Sequence, residues 1–186
     1  MNTNILISHI EKHLGKISSS WTVKDDNEHI QIIKFLNNPQ KKVSTFLTLG
    51  LSHHLLSMPS GKECRQELLF SVYDKFNSED VASMLIMFSK LIISSHKAVL
   101  RGGIEKIGKS ILPNVKTSYL FASVPFIFAE TFDLLKETNP PVMFPLLIPL
   151  HSTEVNYISM NGRESFEKMF EEKDPDIFDL NRLPFV

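Results

Sequence analysis

The sequence predicts an α+β fold: a single domain over residues 1–186, with a mixed, mainly antiparallel sheet packed against one long helix and closed by C-terminal helices. Three observations predict it. Runs rich in β-branched and aromatic residues precede, flank and follow one long amphipathic helix, with no regular strand–helix alternation. The chain has 186 residues, 42% hydrophobic and 22% charged, the size and balance of one globular domain that buries a core without staples. Its last third runs in a particular order: an apolar strand, a capped helix, a glycine break, an acidic helix and an aspartate-rich tail with Arg182 near its end.

Each element has its own signal. Ile5, Leu6, Ile10 and Leu14 recur at helical spacing, so a helix is expected over 5–14, stopped by Gly15. Residues 21–23 and 29–36 read as strands; Asp25, Asp26 and Asn27 supply turn chemistry between them. Asn37, Asn38 and Pro39 mark a second turn, and 43–51 reads as a strand whose end bends at Gly50, where a side chain would clash. Residues 57–62 form a loop by composition, and 67–73 a strand. Ser78 is the expected N-cap of the longest helix. Glu79 and Asp80 suit the dipole at its start, and Lys97 and Arg101 suit its end before Gly102 and Gly103. Met84, Met87 and Phe88 lie at helical spacing and are assigned to the core. Strands are expected at 119–124 and 143–150, with a strand or short turn over 126–132. Ser152 or Thr153 opens a helix that ends at Asn161 and Gly162, and an acidic helix follows over 163–173.

Composition narrows the function. The single Cys64 excludes an internal disulfide framework and permits a reducing compartment. Residues 2–9 carry no basic leader or long apolar core, and no apolar run approaches the ~20 residues of a membrane span. A cytoplasmic protein with no membrane partner is expected. The formal net charge is −1, but its distribution is uneven. Residues 90–116 hold six basic residues and one acid, whereas 163–186 hold seven acids and four bases. Two faces of opposite sign form if these segments lie apart; otherwise they are solvated surface.

No catalytic constellation assembles along the chain. His53 and His54 are adjacent, so on a strand they point to opposite sides, and only Glu63 and Cys64 stand near them as further metal ligands. Gly50-Leu51-Ser52 starts like a nucleophile elbow, but His54 stands where the second glycine is needed. His96 and His151 would have to serve Ser52 as base in a serine hydrolase, and nothing locates either beside it. The aspartates at 174–179 lack calcium-loop spacing. Residues 102–109 are basic but lack interleaved aromatics, and their glycines suggest a flexible loop; direct nucleic-acid binding is not expected. Arg182, between Leu180 and Phe185, is expected to snorkel or to pair with an acid such as Glu67. No enzyme activity, cofactor or metal is expected, and the oligomeric state is not readable.

Several segments carry a family resemblance. Phe144-Pro145-Leu146-Leu147-Ile148-Pro149-Leu150, followed by Thr153-Glu154-Val155-Asn156-Tyr157-Ile158 and later by Asp179-Leu180-Asn181-Arg182, resembles the end of the suppressor-of-fused domain in its short bacterial form. Val43-Ser44-Thr45-Phe46-Leu47-Thr48-Leu49-Gly50-Leu51-Ser52 resembles that family's glycine-and-serine strand end, and Glu67-Leu68-Leu69-Phe70 its strand with a leading acid. The match spans nearly the whole chain, and the order and spacing of the motifs carry it. The resemblance implies a suppressor-of-fused-like fold. It also implies an immunity protein, or antitoxin, in a toxin–antitoxin system: bacterial members resemble proteins that neutralise a toxin, and one branch resembles partners of secreted nuclease toxins with an LXG-type leader. The alternative is a general peptide- or protein-binding scaffold; eukaryotic relatives resemble peptide clamps, but with a further domain. A nuclease site is usually basic, so acids can imitate its phosphate substrate. On that ground Glu171, Glu172, Asp174 and Asp176 are the expected partner-binding residues, with solvation of the same acids as the competing reading.

Overall fold

A computed structural model describes residues 3–22 and 28–186. The expected turn at Asp25, Asp26 and Asn27, and Val23 of the first strand, lie outside the described residues. Helix α1 (Thr3–Leu14) buries Leu6, Ile10 and Leu14 and stops at Gly15, which adopts φ 83°. Strands β1 (Ser19–Thr22), β2 (Gln31–Leu36) and β3 (Val43–Leu49) follow as an antiparallel meander. A 3-10 turn (Leu51–His53), β4 (Leu56–Ser57), β5 (Glu63–Gln66) and β6 (Leu69–Tyr73) lead to the long helix α2 (Ser78–Ser95). Then come β7 (Ile104–Lys106), β8 (Tyr119–Ser123), β9 (Leu134–Leu135), β10 (Val142–Met143) and β11 (Leu146–Leu150). Helices α3 (Ser152–Asn161) and α4 (Arg163–Lys173) close the chain.

Among the described residues the main sheet has seven strands in the order β1-β2-β3-β6-β11-β8-β7. The central β6–β11 pair is parallel and the other pairs are antiparallel. The sheet is covered on both faces, so its central strands are apolar at successive positions. Alternate residues still go to opposite layers. Ile32, Phe46, Phe70, Leu120 and Leu147 face α2 and its Leu85, Phe88 and Ile92. Ile33, Leu47, Leu69, Phe121 and Ile148 face α1, Phe166 of α4 and the aromatic pair Phe132 and Phe144. A small second sheet, β4-β5-β10-β9, extends one end.

Several expectations shift. Asn77, not Ser78, caps α2: its side chain accepts from the N–H groups of Glu79 and Asp80 at 2.8 and 3.2 Å. The helix ends at Ser95, not near Arg101, because His96 turns left-handed at φ 54°. His151, rather than Ser152 or Thr153, is the N-cap of α3, and the Glu154 carboxylate accepts its backbone N–H at 2.8 Å. The segment expected as one strand over 143–150 divides at Phe144 and Pro145: β10 joins the small sheet and β11 the large one. Part of the glycine-flanked basic stretch is not a loop but β7, an edge strand paired with β8. Residues 126–132 form a turn and a 3-10 helix (Glu130–Phe132). Met84 and Phe88 are buried as assigned, but Met87 is 45% exposed.

Candidate functional site

An apolar groove with an acidic rim lies where α4 crosses β8 and β11. Phe166 and Phe170, one turn apart on α4, point toward the sheet, so Glu167, Glu171 and then Asp174 come up along the edge. Phe166 packs on Phe121 with ring centroids 5.5 Å apart, and Phe170 meets Phe126 edge-on at 6.1 Å. The hollow between them holds about 420 Å³ and is floored by Phe121, Ile148 and Phe166. A second hollow of about 300 Å³ adjoins it across Phe126, Phe170 and Asp174 and reaches Tyr73 and Asp176. Val124 and Phe126 are 43% and 50% exposed at the mouth. Large apolar side chains rarely stand open beside a hollow unless something docks there.

The charges divide unequally. Glu167 is held between Arg101 at 3.1 Å and Arg163 at 3.8 Å, which neutralises it. The basic 90–116 segment and the acidic tail therefore touch at this point, while Lys97 and Lys106 border a hollow on the α2 side. Among the described residues Glu171 and Asp174 make no ion pair, so the rim keeps a negative excess. Asp176 accepts the Tyr73 hydroxyl at 2.9 Å, which holds that phenol above its ordinary pKa. Burial works against the charge of Asp179, yet the Asn181 N–H and Lys75 outweigh it and hold its carboxyl below the usual range. Of the four expected acids, Glu171, Asp174 and Asp176 border the groove; Glu172 lies outside it, 3.9 Å from Lys168. The floor residues Phe121 and Ile148, and Phe126 at the mouth, were not foreseen. The one local signal was the Phe166–Phe170 spacing inside an otherwise acidic helix.

The Ser52 region is a structural knot. The Glu67 carboxylate accepts four hydrogen bonds at the bend after β3: from Thr48 Oγ1 (2.6 Å), the N–H groups of Gly50 (2.9 Å) and Ser52 (3.0 Å), and Ser52 Oγ (2.6 Å). Ser52 is fully buried with its hydroxyl spent on this carboxylate, which leaves no exposed nucleophile there. Burial pushes Glu67 up to about 7 against those four donors. Gly50 is required as expected: at φ 116° an added Cβ would stand 2.6 Å from the His29 carbonyl oxygen. Arg182 does not pair with Glu67; its partner is Glu154, 28 positions away. Among the described residues no group of three or more His, Cys, Asp and Glu side chains is placed to hold a metal ion. None of the helices there is long and apolar enough to cross a membrane.

Comparison with known proteins gives a consistent outcome. The family model described as suppressor of fused protein matches residues 26–183. Immunity protein YqcF of Bacillus subtilis (strain 168) is 26% identical over 175 residues, covering 92% of this chain and 88% of its own. The crystal structure of a suppressor of fused homologue from Neisseria gonorrhoeae FA 1090 superposes with TM-score 0.78 at 19% identity, over 99% of this chain and 96% of its own. Drosophila Suppressor of Fused superposes with TM-score 0.68 at 13% identity, over 98% of this chain and 50% of its own. The two structural likenesses establish the fold.

Proposed function

The chain belongs to the suppressor of fused family, and on that premise we propose that it is an immunity protein that binds a cognate toxin and blocks it by contact. The carrying observation is the likeness to Immunity protein YqcF along nearly the whole of both chains. The groove supports the same reading: open aromatic side chains supply anchoring area, and Glu171 and Asp174, in no ion pair among the described residues, supply a charge preference. We place the toxin contact there, with Asp176 at its far end and Glu172 on the flank.

An acidic rim suits a basic partner surface, and a nuclease substrate site is such a surface. The toxin in this reading is a nuclease, blocked in the cytoplasm of the cell that makes it. Coexpression with the toxin encoded beside this chain is the test. Protection, co-purification of the pair and release by nucleic acid competing for the toxin site support it. A toxin that still acts and does not co-purify removes the immunity role. Binding without competition by nucleic acid keeps that role and removes the nuclease assignment.

A further inference from the structure

The outer face of α2, across the sheet from the acidic groove, carries a second surface. Met87 and Leu91 are 45% and 52% exposed near the middle of the helix. A hollow of about 610 Å³ bordered by Ser83, Met87 and Leu91, with Glu28 and Lys90 of opposite charge on its rim, lies on one flank. Another, of about 340 Å³, lies between Met87 and the loop at Gly108 and Pro113. Leu91 also borders a third, of about 410 Å³, that runs to Lys97 and Lys106. The two apolar side chains thus form a ridge with hollows beside it, the relief by which one helix packs on another.

Charge and size identify the occupant. At about 100° per residue, Asp80, Ser83, Met87, Leu91 and Ser94 share a stripe about 80° wide. The acids Glu79 and Asp80 stand in its first turn, and Lys97 stands just beyond its end. Run against itself in the opposite direction, this pattern is complementary. We propose that the face is a dimerisation surface, occupied by α2 of a second copy of this chain, antiparallel, with Met87 on the two-fold axis. In that register Ser83 of each copy faces Leu91 of the other, small against large. Asp80 falls level with position 94 of the second copy, three residues before Lys97. A parallel pairing would set Asp80 against Asp80 and align the helix dipoles, both unfavourable. The result is an isologous contact that closes at two copies. It leaves the acidic groove free on the opposite face and does not depend on the toxin reading.

Sedimentation equilibrium of the full chain, from micromolar to near-millimolar concentration, tests it. The expected result is a monomer–dimer equilibrium that Met87→Glu weakens at least about tenfold, as for a central interface residue, with an unchanged thermal melt. Met87→Cys is expected to cross-link to itself under mild oxidation, and Ser83→Cys chains to cross-link with Leu91→Cys chains, while Ser165→Cys does neither. A chain that stays monomeric throughout overturns the proposal. So does a dimer that survives Met87→Glu and fails to cross-link through position 87, or a Met87→Glu chain whose only change is loss of toxin binding.

Discussion

Arg182 grips Glu154 with both arms of its guanidinium: Nη2 stands 2.9 Å from Oε2 and Nη1 reaches Oε1, with the two side chains only 6% and 0% exposed. The same Nη2 donates to the Pro149 carbonyl at 3.0 Å, and His151 Nε2 lies 2.9 Å from the Arg182 carbonyl oxygen. The tail is thereby tied to the end of β11 and the start of α3, which helps to keep Phe185 against Phe166 and Phe170. The wall behind the acidic groove depends on this pair.

Removing one partner strands a buried charge, which costs about 3–5 kcal/mol. Arg182→Ala and Glu154→Ala are each expected to lower the urea-unfolding free energy by that order. Arg182→Lys keeps the charge and loses the fork, so it should fall in between. A loss below about 1 kcal/mol for Arg182→Ala would count against the clamp.

Glu67 makes stability depend on pH in an unusual direction for a carboxylate. Its folded pKa of about 7 lies above the ordinary 4.5, so the folded chain holds a proton that the unfolded chain releases. Its contribution is fully present below about pH 4.5 and is lost as pH rises through about 7, on the order of 3 kcal/mol in all. His9, lowered chiefly by burial, works the other way: its contribution is present above its ordinary 6.5 and is lost as pH falls. The difference between wild type and Glu67→Gln isolates the carboxylate. Among the described residues Oε2 has only Thr48 as partner, whose hydroxyl can accept as well as donate, so glutamine fits there. Urea titrations at acid and alkaline pH should show the variant less sensitive to rising pH; parallel profiles would refute the assignment.

Gly50→Ala places a methyl 2.6 Å from the His29 carbonyl at φ 116°. A loss above about 2 kcal/mol is expected, since both the close approach and the left-handed backbone oppose it. Thermal melts beside Gly15→Ala, where nothing lies within 4 Å, separate the two causes.

At the groove, Phe126→Ala is expected to weaken toxin binding by about 2 kcal/mol or more while changing the melt little. Asp174→Lys should slow association at low salt and lose that effect at high salt, because its charge is exposed at the rim. Calorimetry and stopped-flow mixing with the purified toxin read the two effects. Unchanged affinity for both variants would move the contact elsewhere.

Much of the architecture was legible because periodicity is local. Leu6, Ile10 and Leu14 announced α1, the 43–51 run announced β3, and the order of the last third announced β11, α3 and α4. Short strands escaped: β5, β7 and β9 span four, three and two residues, too few to show an alternation. The helix ends escaped too. A left-handed His96 is a weaker composition signal than Gly102, and Asn77 and Ser78 are equally good caps, so composition does not choose between them.

The sequence by itself determined the α+β class, the likeness to suppressor of fused proteins, the acidity of the last helix and the need for glycine at position 50. All of these are written in neighbouring residues. Only the tertiary structure decided that Arg182 meets Glu154, that Arg101 crosses 66 positions to cancel Glu167, and that Phe126 stands open beside Asp174. Such meetings depend on strand register and on which helix covers which face, and the pattern of any short window leaves both undetermined.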